Sequence, residues 1–198
     1  MISGYGRVTA IDYLTYDTIE GYAILDDDGN IVIGDISARV SATSNNASAS
    51  GIYASEINID SITPSGVILA NAGHADPPYT TATNAYGISS YNQAIIGRID
   101  GTVGAFGGSG GMEANAYAFG KSHNRFSVNE LSGSVQAIGG SAENSADATG
   151  ISYAHEININ DLSGLIDVTG GTAKFSAETT GMDASGFFHL EDSWSMGK

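Results

Sequence analysis

The pair in this sequence closest to enzyme chemistry is His155-Glu156. An imidazole beside a carboxylate can move a proton or hold a metal ion, but either task needs further groups converging on the same point. A similar stretch earlier in the chain carries Ser55-Glu56 instead, so the histidine does not recur. The pair reads as a solvent-facing strand start. His74, His123 and His189 form no ligand spacing of the His-x-x-x-His kind. Acidic residues at Asp60, Glu130, Asp161 and Asp192 close several repeated stretches. Stacked carboxylates could hold cations, or serve as the acid and nucleophile of a glycosidase. Their uneven spacing favours solvated turns. Asp26-Asp27-Asp28-Gly29-Asn30 lacks the alternating order and the later bidentate glutamate of a calcium loop. The glycine-rich residues 104–111 are followed by no lysine, so they make a turn and not a phosphate loop. No Gly-x-Ser-x-Gly elbow stands between a strand and a helix. The expectation is therefore no catalytic residue, no metal site and no cofactor.

One segment stands apart. "AGHADPPYTTATNAYG", residues 72–87, interrupts an otherwise regular rhythm and holds the adjacent prolines Pro77 and Pro78. Insertions on repeat rods often make the binding surface. His74, Asp76, Tyr79 and Tyr86 are the candidate binding residues, the tyrosines for the contact area they offer. Neutral lengthening of a tolerant loop is the alternative.

The elements that must position these residues follow from a repeat. Glycine anchors stand at Gly4, Gly34, Gly66, Gly101, Gly133 and Gly164, at steps of 30, 32, 35, 32 and 31 residues. Two positions past the anchor stand Ile36, Ile68, Val103, Val135 and Ile166; four past it stand Ala38, Ala70, Ala105, Ala137 and Val168. The intervening residues are mostly polar, which is the period of a strand with one buried face. Seventeen positions on lie Gly21, Gly51, Ala118, Gly150 and Gly181; in the third unit Gly87 arrives after 21, an excess of four assigned to the insertion. Ile52, Ile88, Phe119, Ile151 and Met182 follow as another apolar column. A last alternation holds Ile57 and Ile59, Phe126 and Val128, Ile157 and Ile159, Phe188 and Leu190.

Each unit thus predicts about three short strands, and no segment has a helical period. A unit of this size cannot bury its own apolar face, but a stack of them can. The fold expected is all-β: a single-stranded parallel β-helix, or β-solenoid, of about six coils of ~32 residues, at ~4.8 Å per coil. The half-unit as a coil is the alternative. Residues 1–33 form a divergent N-terminal coil or cap, with a hairpin turning at Asp28-Gly29. The regular coils are expected over 34–65, 66–100, 101–132, 133–163 and 164–198.

Composition agrees. There are 27 glycines, and charged residues make up only 15% of the chain, short of the usual quarter. A net charge of −15 repels phosphate backbones and anionic lipids, so nucleic acid is excluded as a partner. No stretch approaches the ~20 apolar residues of a membrane helix, so no membrane insertion is expected. The absence of cysteine removes disulfides, thiolate zinc and cysteine nucleophiles. The opening "MISGYGRVTAIDY" has neither a basic start nor an apolar run. An export signal is expected to lie outside this chain.

The phrase Ser132-Gly133-Ser134-Val135-Gln136-Ala137, with residues 146–151 and the stretch Asn84-Ala85-Tyr86-Gly87-Ile88, resembles the β-helical repeats of bacterial autotransporter passengers and related large adhesins. Trimeric autotransporter heads are a second, weaker resemblance. The first covers residues 34–192 and implies a parallel β-helix displayed at or outside the cell surface, used for adhesion or as a stalk. The expected role is a non-catalytic structural or adhesive segment, with a host or surface glycan or protein as receptor. Self-association through the solenoid ends is also expected, since stacked strands leave open edges. A β-helical polysaccharide-degrading enzyme, or tailspike-like depolymerase, is the rival; an ice-matching lattice would need a flat threonine ladder, which the mixed outer columns lack.

Overall fold

The computed structural model describes residues 8–9, 11–15, 18–44, 48–75, 82–122, 124–153 and 155–190. Among them there is no helix, and the chain winds as a parallel β-solenoid. The first face is a sheet of six strands: Val8–Thr9, Arg39–Thr43, Val67–Asn71, Thr102–Phe106, Ser134–Ile138 and Leu165–Thr169. Each pairs in parallel with the next, so Val8, Val40, Ile68, Val103, Val135 and Ile166 lie in one file. Successive members of that file are 28 to 35 residues apart, one whole unit, so the coil is the whole unit and not its half.

The second file runs through Ile24, Ile52, Ile88, Phe119, Ile151 and Met182. A third, on the last face, runs through Ile31, Ile57, Ala94, Phe126 and Ile157. Most members are fully enclosed, because an alternating strand turns every second side chain inward and the coils above and below close over it. Size is balanced along the axis. Ala94 stands directly beside the bulky Phe126, and Phe126 packs on Phe119 with ring centroids 4.8 Å apart.

Several expectations need correction. The unit at Gly34 is out of step: Val40 and Ala42, not Ile36 and Ala38, join the first-face files. Ile36 belongs to a third-face file with Ile62, Ile99 and Leu131. The true anchor of that coil is Ala38, in register with Gly66. Gly34 and Gly51 fell seventeen apart by coincidence, because the corner between the first and second faces is four residues shorter in this coil than in the coils from Gly101 onward, and shorter still than the corner that carries the insertion. Likewise Gly21 pairs with Ala49, so it is not the partner of Gly51. The third unit is long as expected: between Ala75 and Ala82 it has six residues where the next coil has two.

The expected count of about six coils, the first of them divergent, reduces to four coils with a neighbour on each side, over residues 39–162. They lie between a divergent N-terminal unit and a last coil whose outer side no described strand covers. Three separate strands per coil hold only late in the chain. There the second face has Ala116–Ser122, Ala148–Tyr153 and Thr179–Ala184, and the third has Arg125–Leu131, Glu156–Leu162 and Phe187–Leu190. Earlier, the two faces share one long bent strand: Thr18–Ile36, Ala49–Ile62 and Ala85–Ile99. The corners there are short enough to be absorbed as bulges, with Ser55 alone opposite Tyr91 and Asn92. The hairpin expected at Asp28-Gly29 is one of these bulges. The antiparallel pair lies earlier, where Ile11–Thr15 meets the start of Thr18–Ile36 with Thr15 opposite Thr18.

At the start of each regular coil the backbones approach closely. A Cβ on Gly101 would run into the Gly66 carbonyl oxygen, and one on Gly133 into that of Gly101. Gly133→Val is accordingly expected to destabilise by about 1–3 kcal/mol through overpacking. Ile157→Ala, at a fully enclosed site, should cost about 2–5 kcal/mol. Leu165→Ala, 58% exposed on the last coil, should stay within about 0.5 kcal/mol of the parent. Urea unfolding midpoints of the three variants check the order.

Candidate functional site

The insertion sits at the corner between the first and second faces, and that corner is the most elaborate part of each coil. His74 and Ala75 form a short parallel pair with Ser109 and Gly110 of the next coil. The exposed His74 ring meets the Ser109 hydroxyl, Nδ1 to Oγ 2.9 Å. Below Ser109 the file continues through Ser141 and Thr172, a column of hydroxyls on the outer corner. Asp76 and Tyr79 lie outside the described residues. Tyr86 is not a loop residue: it belongs to the strand Ala85–Ile99 and is only 7% exposed. Its ring stacks on Tyr117 of the next coil, with centroids 5.3 Å apart and planes 7° from parallel. His74 and Tyr86 therefore stand in different files, and the structure does not gather the candidates at one point.

What holds this corner is a ladder that the repeat analysis missed. The Asn84 side-chain Oδ1 accepts the Asn115 backbone N–H at 2.8 Å. Asn115 Oδ1 in turn accepts the Asp147 N–H at 2.8 Å and the Ser145 hydroxyl at 3.0 Å. Asp147 Oδ1 accepts the Glu178 N–H at 2.8 Å and the Ser176 hydroxyl at 2.6 Å. At the upper end the Ser48 hydroxyl accepts the Asn84 N–H at 3.1 Å. A corner backbone cannot use the regular ladder of a flat strand, and a buried N–H without an acceptor is costly. One short acceptor side chain per coil meets that need. Its trace is legible: Asn84, Asn115, Asp147 and Glu178 each precede the small residue that opens the second face.

The other chemistry-bearing residues are held by neighbouring coils or by close sequence neighbours. Glu130 and Asp161 share a file, but that file also holds Arg98, whose Nε lies 3.7 Å from Glu130. Asp60 belongs elsewhere: Ser61, not Asp60, is the register partner of Arg98. Asp192 lies outside the described residues. Hydrogen bonds from Arg98 and then from the Ser132 hydroxyl hold the Asp100 carboxyl below the usual aspartate range. Glu156 accepts a 2.6 Å bond from the Asn158 amide and faces Arg125 at 3.7 Å. His155 is exposed one residue before the strand that Glu156 opens, matching the strand-start reading. The glycine-rich segment is a turn, with Gly110 and Gly111 at φ of 75° and 73°. Among the described residues no three His, Cys, Asp or Glu side chains gather to hold a metal.

Burial pushes the Tyr117 phenol above the usual tyrosine range. The carboxylates of Asp147 and Glu113 push the same way, against a hydrogen bond with Asn115. No family model, curated protein or solved structure matches this chain.

Two outcomes follow from the corner. Asn115→Ala strips the acceptor from the Asp147 N–H and should cost about 1–3 kcal/mol, with faster hydrogen exchange at that amide. Folding favours the protonated Tyr117 phenol, so its contribution to stability is complete below the unfolded tyrosine value of about 10 and is lost as pH rises through the higher folded value. An ultraviolet phenolate titration should show a late-ionising tyrosine that Asp147→Asn moves back toward the ordinary range.

Proposed function

We propose that this chain is a non-catalytic structural and adhesive β-solenoid segment, displayed at or outside the cell surface. The single observation that carries the reading is the Ser48, Asn84, Asn115, Asp147 and Glu178 ladder, which spends polar side chains on coil-to-coil bonds along the rod. Arg98, Asp100 and Ser132 are bonded to one another in the same spirit. Such an arrangement supports stiffness and repeated display over convergence on one reacting atom. The resemblance of the Ser132 to Ala137 phrase to adhesin repeats points the same way.

The ends support self-association as part of the role. Val135 is fully enclosed, while its counterpart Ile166 in the last coil is only half-buried, and Leu165, Phe175 and Phe187 are 58%, 82% and 82% exposed. An edge of this kind pairs readily with another strand.

The test is incubation with a panel of neutral and acidic polysaccharides, read by release of reducing ends or unsaturated products. No turnover is expected. Reproducible cleavage that disappears in Asp76→Asn would establish the depolymerase reading instead. Sedimentation across a concentration series should show species larger than one chain, weakened by Phe187→Lys; a monomer throughout would remove self-association.

A further inference from the structure

A net charge of −15 sets copies of this chain against one another, so contact between them needs a surface nearly free of charge. The third face is not such a surface: carboxylates such as Asp60, Glu130, Glu156 and Asp161 outnumber Arg98 and Arg125 there. The first face is. Its outward positions over five coils, from Arg39–Thr43 to Leu165–Thr169, hold one cation, Arg39, and one anion, Asp167, both exposed. The cation stands in the second coil and the anion in the last. Between them the face is largely apolar. Leu69 and Phe106 both lie over Gly104, where a Cβ would come 2.7 Å from Leu69 Cδ2 and 3.3 Å from the Phe106 ring. Ile138, beside Phe106 in register, is 40% exposed, and Val67, Leu69 and Phe106 are half-buried.

We propose that two copies of this chain pair through their first faces, antiparallel, about a two-fold axis along the strand Thr102–Phe106. This contact lies on the side of the rod. It is separate from the contact at the ends and does not rest on the adhesive role. A two-fold contact opposes a patch to itself. With the axis on the middle strand, the second coil of one copy faces the last coil of the other, and each outward column faces itself. Ser41 then lies opposite the partner's Asp167, since the two share a column. Arg39 stands two residues away along the strand, ~7 Å, within reach of an arginine side chain. The same pair forms again at the other end. The Phe106 rings meet on the axis, with Leu69 and Ile138 around them.

Charge also fixes the direction. With the axis along the solenoid instead, Asp167 would face the partner's Asp167, and Arg39 would be four rungs away, ~19 Å. Five rungs at ~4.8 Å and five residues at ~3.3 Å make a face of about 24 by 17 Å, or about 400 Å² in projection. A standard interface takes about 800 Å² from each partner. The dimer is therefore weak, with a Kd of roughly micromolar order.

Sedimentation across a concentration series tests this in a Phe187→Lys chain, where the end contact is disabled. A monomer–dimer equilibrium is expected, with no larger species. Phe106→Glu puts like charges together on the axis and should weaken pairing by about tenfold or more. Arg39→Asp and Asp167→Arg should each weaken it, and the two together should restore it. All three side chains lie on the outer surface, and an unchanged far-ultraviolet circular dichroism spectrum checks that each variant folds. Cross-linking gives an independent reading in this cysteine-free chain. A short bismaleimide should join Thr43→Cys copies to Thr169→Cys copies more readily than it joins either to itself. A monomer at millimolar concentration in the Phe187→Lys chain overturns the lateral contact, and leaves standing any end contact that the parent shows. Phe106→Glu pairing as tightly as its parent overturns it, as does a double variant no tighter than either single one. Preferential linkage of Thr43→Cys copies to each other overturns the antiparallel order.

Discussion

The structure depends on one constraint: each coil must present its backbone N–H and C=O groups in register with those of the next. Parallel strands at a single rung spacing accept no drift, because a slip of one residue turns every inward side chain outward. The files of Val40, Ile68, Val103 and Val135 are the visible result. So is the close backbone contact at Gly101 and Gly133, where any side chain would hold the coils apart. The apolar interior is continuous because the ladder is, and the ladder persists because the interior shelters it from water.

Corners are where that constraint is hardest to meet. Strands bond regularly along their length, but a bend misaligns the groups that would pair. The molecule meets this in two ways. Short corners such as Ser55 and the pair Tyr91 and Asn92 are taken up as bulges, leaving one strand to serve two faces. The longer corner after the first face borrows acceptors from Asn84, Asn115 and Asp147, each serving the coil below. Loop length is therefore free to vary while register is not. The corner of the third coil accommodates extra residues without disturbing Ala85, which remains in file with Ala49 and Ala116.

A rod built in this way concentrates its identity on its surface. Inside, the files interchange Ile, Val, Ala and Phe with little consequence for shape beyond local balance, as at Ala94 and Phe126. Outside, each position is repeated once per coil, so a single residue type in the unit becomes a column. Hydroxyls at Ser109, Ser141 and Thr172, the stacked rings of Tyr86 and Tyr117, and the charged file of Arg98, Glu130 and Asp161 are columns of this kind. Acidity over the whole chain keeps such surfaces soluble while limiting what approaches them.

The amino-acid order alone determined the all-strand character, the coil length and most inward files, because alternation and near-identical spacing are local properties repeated many times. From Gly66 onward the glycine anchors were legible for the same reason. Tertiary structure decided the phase of the second coil, where Gly34 imitated an anchor and Ala38 was one; a shortened corner changes spacing without changing composition, and only pairing partners reveal it. It also decided which acids share a file, that Tyr86 belongs to a strand and stacks on Tyr117, and that Asn115 serves a backbone N–H in the next coil. Those facts concern residues about thirty positions apart in the chain that meet only across one rung, and no local pattern records which of them will face each other.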